Sequence, residues 1–121
     1  MTELKIDPVA KPRMTRSDKW AHRPVVDRYF AFKDALVLLC KKQKYFLPDK
    51  YGVIFYIAMP ESWSAWRKID MKGKPHKQKP DLDNLLKSIN DCLKVSDQTI
   101  YALEASKYWD DEGRIVFYEI A

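Results

Sequence analysis

Hydrophobic residues recur at helical spacing in three stretches of the chain. Over residues 26–44 the apolar positions leave the polar ones to a single arc, which predicts a long core helix. Residues 82–94 place their leucines on one side and their charges on the other, which predicts a strongly amphipathic helix. Residues 61–70 predict a short helix with Trp63 and Trp66 one turn apart.

Other stretches have the composition of β-strands. Residues 4–6 predict a short opening strand that breaks at the following proline, and residues 51–58, apolar on both faces, predict a central strand. Residues 99–109 and 114–120 read as two strands whose connecting turn, residues 110–113, predicts a β-hairpin. We therefore expect one α+β (α/β) domain over residues 1–121: a small mixed β-sheet with a long core helix and a second, amphipathic helix.

Composition bounds the class of protein. A chain of 121 residues with 46% apolar and 32% charged residues is typical of one globular domain. It has no apolar run near the roughly 20 residues that cross a bilayer and no secretory h-region, so we expect a cytoplasmic protein without a membrane partner. Two cysteines and two histidines argue against a disulfide framework or a structural zinc. No glycine-rich phosphate loop, nucleophile elbow or Cys/His pair supports a small metabolic enzyme.

Charge divides the chain into two parts. Residues 1–80 hold 18 Lys and Arg against 8 Asp and Glu, whereas residues 81–121 hold 4 against 9. A positive surface attracts nucleic acid, and an acidic cluster suits a hard divalent cation, although both could be ordinary solvated surface. The basic residues concentrate in an arm at 11–28 and a loop, expected to be mobile, at 71–79. The candidate DNA-binding residues are Lys11, Arg13, Arg16, Lys19, Arg23, Lys72, Lys74, Lys77 and Lys79.

An Asp-x-Asp sequence begins the amphipathic helix. Residues two apart on a continuous helix point about 200° away from each other, but Pro80 favours a helix that starts at about residue 81 or 82, which would leave Asp81 on non-helical backbone. Asp81 and Asp83 could then converge, and Mg²⁺ or Mn²⁺ would relieve their repulsion. Lys87, one turn after Asp83, could moderate that charge or reach a phosphate oxygen. The alternative is helix capping and an ordinary i,i+4 ion pair.

A third acidic ligand is desirable for a metal that keeps waters for chemistry. Asp97 lies in the turn after the amphipathic helix, but a helix of a dozen residues spans roughly 18 Å. Asp97 therefore reaches the Asp81 end only if the helix is shorter, if the chain folds back, or if a symmetric dimer brings the Asp97 of one subunit to the acidic pair of the other. The sequence leaves these alternatives open.

Three motifs resemble one family. The sequence KPDLDNLLK at residues 79–87 with Asp91, SDQTI at 96–100 and KPRMTR at 11–16 resemble the signature of the RusA-type Holliday-junction resolvases, particularly the phage and prophage branch. The similarity spans nearly the whole chain. It implies a small homodimeric α/β endonuclease that cuts branched DNA with a divalent metal.

The resemblance also assigns roles by position. Asp81 and Asp83 match the first two metal-binding aspartates of the family, Lys87 its important helix lysine and Asp97 its third acidic ligand. The family often has two adjacent acids where this chain has Ser96-Asp97, so the assignment of Asp97 fails if the ligand is the first of those two. Asp91 matches a recurrent acid of the helix, for which a structural or supporting role is expected.

We therefore expect catalytic residues Asp81, Asp83, Lys87 and Asp97 in a Mg²⁺-dependent endodeoxyribonuclease, with Mn²⁺ able to substitute and no small-molecule cofactor. It would resolve four-way DNA junctions as a homodimer, in recombination and repair, in a bacterial or phage-infected cell. A non-catalytic nucleic-acid-binding module and a metal-dependent nuclease for flaps or RNA are the alternatives.

Aromatic and histidine side chains add weaker expectations. Trp63 and Trp66 could stack on unpaired bases at a branch point, although core or interface packing is the commoner role for tryptophans at this spacing. His22 and His76 lie in the basic segments, where solvated or phosphate-contacting side chains are expected rather than catalytic ones.

Overall fold

A four-stranded mixed sheet with three helices forms the protein, in a computed structural model that describes residues 1–13, 23–94 and 97–121. This architecture confirms the predicted α+β fold. The elements are β1 (Thr2–Leu4), α1 (Pro24–Gln43), β2 (Lys50–Ala58), α2 (Ala65–Met71), α3 (Leu82–Leu93), a 3₁₀ turn (Asp97–Thr99), β3 (Ala102–Asp110) and β4 (Arg114–Tyr118).

The long helix α1 forms where the periodicity predicts it. Pro24 occupies the first turn, where its missing N–H costs nothing, and the helix ends at Lys44, which adopts the left-handed conformation with φ of 54°. Its buried side chains recur every three or four residues, including Tyr29, Phe32 and Leu36. This face packs into the core and leaves the opposite face exposed.

The central strand β2 provides most of the sheet pairing and much of the core. Tyr51, Val53 and Phe55 are almost completely buried. They share the core with Leu85 and Ile89 of α3. Strand β2 runs parallel to β3 on one side and antiparallel to β4 on the other, and β1 pairs antiparallel with β4, which gives the order β1-β4-β2-β3. The apolar face of α3 therefore packs against the sheet, with Leu85 and Ile89 as its most buried residues.

The predicted β-hairpin is wrong, although both of its strands exist. Strands β3 and β4 lie on opposite sides of β2, so residues 111–113 cross beyond the end of β2. The chain can cross at this point because β2 ends here. The Met59 N–H donates the last hydrogen bond to the Asp110 carbonyl, and Pro60 has no N–H with which to continue the ladder. Gly113 allows the crossing segment to pass close to Asp7, since a Cβ at position 113 would lie 1.9 Å from Asp7 Oδ1. Turn residues signal a reversal of the chain, but not which strand becomes the neighbour.

The basic loop at 71–79 is less free than the sequence suggests. The Gly73 N–H donates to the Trp109 carbonyl at 2.8 Å, and the Trp109 N–H donates to the Lys74 carbonyl at 3.0 Å. The His76 N–H donates to the Lys107 carbonyl at 3.1 Å. These bonds hold residues 73–76 along the outer edge of β3, so the expectation of a mobile loop is wrong for this part.

His76 is buried, and the expectation of a solvated or phosphate-contacting side chain is wrong. Only 3% of the residue is exposed, and its ring lies 4.2 Å from the ring of Trp109 between centroids. Its Nδ1 has no hydrogen-bond partner among the described residues. Burial lowers the pKa of His76, and the nearby charge of Lys107 lowers it further.

This burial predicts a loss of stability in mild acid. The pKa of His76 in the folded protein lies below its ordinary value of about 6.5, so the unfolded chain binds the proton more tightly. The free energy of unfolding should be steady above about pH 7 and fall as the pH drops from about 6.5 towards the folded-state pKa. Urea unfolding at pH 7.5 and 5.5 measures this difference. His76→Gln should reduce it, and an equal difference in that variant would contradict the account.

Candidate active site

The acidic pair lies where the chain changes from extended to helical. Asp81 has φ of −69° and ψ of 143°, and α3 begins at Leu82, so the predicted entry of the helix is confirmed. The approximately 200° separation of residues two apart on a helix therefore does not apply to Asp81 and Asp83. The side chain of Asp81 makes no capping hydrogen bond. Helix capping, the structural alternative, thus does not explain this carboxylate.

Asp83 occupies the first turn of α3, one helical turn from Lys87. The Lys87 Nζ lies 3.9 Å from Asp83 Oδ2, and the side chains are 65% and 71% exposed, respectively. An exposed i,i+4 pair of this length contributes little to stability. Both groups therefore remain accessible to a ligand that approaches the start of α3.

Lys107 is a residue of this region that the sequence did not reveal. From β3 its Nζ donates hydrogen bonds to the carbonyls of Gln78 and Pro80, the latter at 2.6 Å. Burial lowers the pKa of Lys107, and the negative charge of Asp81 opposes that shift, so ammonium and carboxylate lie near each other. Lys107 thus fixes the backbone that leads into Asp81. A single lysine in a strand gives no signal of this role until the path of residues 78–80 along β3 is known.

Asp91 has the supporting role that was expected. Its carboxylate accepts a very short hydrogen bond from the Tyr29 hydroxyl and another from Lys11 Nζ at 3.1 Å. Burial alone would raise the pKa of Asp91, but the hydrogen bonds from Tyr29 and Lys11 bring it below its ordinary value. Eight residues of helix, about 12 Å, separate it from Asp83. Asp91 therefore joins α3 to α1 and to the basic arm and lies away from the acidic pair.

The third predicted ligand, Asp97, lies at the other end of α3. The helix has twelve residues, roughly 18 Å, and the backbone of Asp97 begins the 3₁₀ turn that follows it. The helix is therefore not shorter than expected. Among the described residues, no group of three His, Cys, Asp or Glu side chains is arranged to hold a metal ion. The role of Asp97 as a ligand stays a prediction.

The candidate DNA-binding residues differ in how they are engaged. Arg16 and Lys19, like His22, lie outside the described residues. Arg13 is exposed, and its carbonyl accepts a hydrogen bond from the Arg23 guanidinium. The lysines that form ion pairs with acidic side chains are Lys11 with Asp91, Lys72 with Asp111 and Lys74 with Asp70. Lys77 and Lys79 are exposed, and neither forms an ion pair with a side chain that the structure describes. Of the candidate lysines that the structure describes, the two without an ion pair therefore lie in the last residues before Asp81.

Comparison with known families decides the assignment. The family model of the endodeoxyribonuclease RusA matches residues 5–118, which is nearly the whole chain. The chain belongs to the RusA endodeoxyribonuclease family. A search of curated proteins finds no match. The RusA membership confirms the resemblance seen in the sequence and makes the protein an endonuclease of a family that binds and resolves Holliday junctions.

The match to the RusA family model includes the predicted acidic pair and its helix lysine. None of the helices in the described part of the chain is long and apolar enough to cross a membrane. The matched range includes the whole segment from the lysine loop through α3 to β4, and with it Asp81, Asp83 and Lys87. In this RusA chain, the exposed lysines Lys77 and Lys79 directly precede the exposed acids Asp81 and Asp83 at the start of α3.

The contacts of Lys107 predict that its loss impairs cleavage more than folding. Lys107→Met removes the donor that fixes the Gln78 and Pro80 carbonyls, so Asp81 should be held less firmly. We expect cleavage of a four-way junction to slow by about tenfold or more, since each factor of ten corresponds to about 1.4 kcal/mol in the barrier. Single-turnover assays measure the rate. Lys5→Met, which changes an exposed lysine directly after β1, is the control. Equal slowing in both variants would contradict a local role for Lys107.

Proposed function

We propose that this protein resolves four-way DNA junctions by metal-dependent hydrolysis of phosphodiester bonds, in DNA recombination and repair. The observation that supports this most is the Asp81 carboxylate, which caps no helix and lies two residues from the exposed Asp83. The exposed lysines Lys77 and Lys79 precede the pair directly and provide positive charge for phosphates.

The donor set suits Mg²⁺, with Mn²⁺ as a substitute. Asp81 and Asp83 provide hard carboxylate oxygens, which are the ligands that Mg²⁺ prefers in proteins. A bound divalent ion lowers the pKa of water and neutralises charge on a scissile phosphate. Lys107 donates hydrogen bonds to the Gln78 and Pro80 carbonyls, so the backbone that leads into Asp81 is held in place and the motion of the Asp81 carboxylate is limited.

Lys87 adds positive charge on the phosphate side of the pair. Its ammonium is within 3.9 Å of Asp83 in the present structure and 65% exposed. When Asp83 is engaged with a cation, this ammonium is available to stabilise the negative charge that develops on the phosphate. Lys77 and Lys79, with Lys72, Lys74 and the basic arm, would contact backbone phosphates, which provide affinity with little sequence information and strong salt dependence.

A homodimer fits both the substrate and an uncovered apolar surface. A four-way junction presents two symmetry-related strands, so a twofold dimer places one active site at each. On α1 and the segment after it, Leu38 is 54% exposed and Phe46 is 86% exposed. Phe46 lines an apolar groove together with Tyr45 and Leu93. We assign this surface to contact with a second copy of the chain.

The dimer would also supply the third acid. Because α3 separates Asp97 from Asp81 by roughly 18 Å within one chain, we propose that Asp97 of one subunit approaches the Asp81–Asp83 pair of the other. Each active site would then be complete only in the dimer.

Cleavage of defined DNAs tests the proposal. Labelled four-way junctions, flaps, an RNA duplex and linear DNA duplexes are incubated with the protein and either Mg²⁺ or a chelator. We expect Mg²⁺-dependent cutting of the four-way junction in preference to the others, and a loss of at least a hundredfold in Asp81→Asn. Asp34→Asn, which changes an exposed acid on α1, is the control.

The alternatives give different results. A binding module would bind the junction and cut nothing under any metal, and a flap or RNA nuclease would prefer those substrates. Equal cutting of linear duplex would contradict the proposed selectivity for junctions.

Mixing two inactive variants tests the exchange of Asp97. A heterodimer of Asp81→Asn and Asp97→Asn subunits contains one intact site if Asp97 acts across the dimer, and none if it acts within its own chain. We expect co-refolded mixtures to regain junction nicking that neither variant shows alone. No recovery, with heterodimers confirmed by native mass spectrometry, would place Asp97 in the site of its own subunit or outside the site.

A further inference from the structure

Helix α2 exposes large apolar side chains. None of its seven residues is buried. Trp66 is 81% exposed and Ile69 is 71% exposed. Because they are three positions apart, they lie on the same face of the helix. Side chains of this size normally lose more of their surface on folding, so this face is suited to a partner.

Trp63 and Trp66 have different roles although they are one turn apart. The ring of Trp63 lies 4.7 Å from that of Trp109 between centroids, and the Arg67 guanidinium lies 3.9 Å above the Trp63 ring. The side chain of Ser64 accepts a hydrogen bond from the Arg67 N–H and caps the helix. These contacts hold α2 on the sheet without help from Trp66, so the exposed indole is not needed for the fold.

The charge around this face is complementary to a polyanion. Residues 67–79 contain six Lys and Arg residues and a single acid, Asp70; two of the lysines form ion pairs, Lys74 with Asp70 and Lys72 with Asp111, which leaves a net positive charge on the segment. The basic residues are Arg67, Lys68, Lys72, Lys74, Lys77 and Lys79. An exposed aromatic ring among lysines is the combination with which proteins bind single-stranded nucleic acid, because the ring stacks on bases while the cations contact phosphates.

The segment that follows α2 is anchored on β3 close to the segment that leads into the acidic pair. The Gly73 N–H, just after α2, bonds to Trp109, and the Lys107 ammonium bonds to the Pro80 carbonyl, just before Asp81. These two anchor points are two residues apart on β3, or about 7 Å. Adjacent nucleotides of one strand are about 3.4 Å apart along the helix axis. A DNA strand at the acidic pair would therefore run within a few nucleotides of the segment that follows α2.

We propose that Trp66, supported by Ile69, stacks on a base exposed at the branch point of the DNA junction. This inference rests on the proposed function, because it concerns the same substrate. When the arms of a junction are not stacked on one another, the bases at the branch point lack one stacking neighbour, whereas bases inside a linear duplex are covered on both faces. Trp66 would therefore recognise the branched structure, while the lysines recognise phosphates that every DNA has.

Binding without cleavage isolates this contribution. In an Asp81→Asn background, fluorescence anisotropy measures the dissociation constants for a four-way junction and for a linear duplex of the same arm sequence. Trp66→Ala should weaken junction binding about tenfold and leave duplex binding within twofold, in line with the effect of losing one base–aromatic stack. Trp66→Phe should restore most of the junction affinity, because a smaller ring still stacks.

The control is Tyr101→Ala, which removes another highly exposed aromatic side chain, 75% exposed, near the start of β3. It should change neither dissociation constant. Three results would overturn the stacking proposal: unchanged junction binding in Trp66→Ala, equal weakening for junction and duplex, or a change of oligomeric state, which would place Trp66 in a protein interface. If the Asp81→Asn parent binds no junction at all, the proposed function itself fails.

Discussion

The candidate site depends on one change of backbone conformation, between Asp81 and Leu82. If α3 began one turn earlier, the carboxylates of residues 81 and 83 would point in nearly opposite directions and could not share an ion. Pro80 and the extended conformation of Asp81 prevent this. The Lys107 hydrogen bonds to the Gln78 and Pro80 carbonyls hold the approach in place from the neighbouring strand. Asp81 and Asp83 can approach each other here because the extended segment that ends at Asp81 leads directly into the first turn of α3.

The sheet topology explains how that meeting arises. Strand β3 follows α3 and runs parallel to β2, so it returns alongside the helix and brings Lys107 back to the region of Pro80. Residues 73–76, which precede α3, form hydrogen bonds along the outer edge of β3, and this places the basic residues of the segment at the same end of the molecule. Asp91 and its bonds to Tyr29 and Lys11 fix the other half of α3 to α1 and the basic arm. The basic segment before residue 80 and the acidic segment after it thus lie next to each other in the folded protein.

The sequence predicted those features that depend on local pattern. The buried faces of α1 and α3, the β-branched strand β2 and the entry of α3 at Leu82 follow from periodicity and from Pro80, which act over a few residues. The false hairpin shows the limit, because the turn at 111–113 looks the same whether β4 pairs with β3 or passes across to β2. The buried His76 and the role of Lys107 were missed for the same reason, since both depend on which segments share the edge of β3. The position of Asp97 relative to the acidic pair also involves a second subunit under our proposal, and one sequence does not describe that arrangement.

The central claim is that Asp81 and Asp83 bind one divalent ion together. Titration of the protein with Mn²⁺, followed by electron paramagnetic resonance of the free ion, measures this directly without DNA or catalysis. The account predicts Mn²⁺ binding with a dissociation constant at or below about 1 mM, weakened at least tenfold by either Asp81→Asn or Asp83→Asn and unchanged by Asp70→Asn. Mn²⁺ binding that is absent from the parent protein, or that survives both substitutions unchanged, would contradict it.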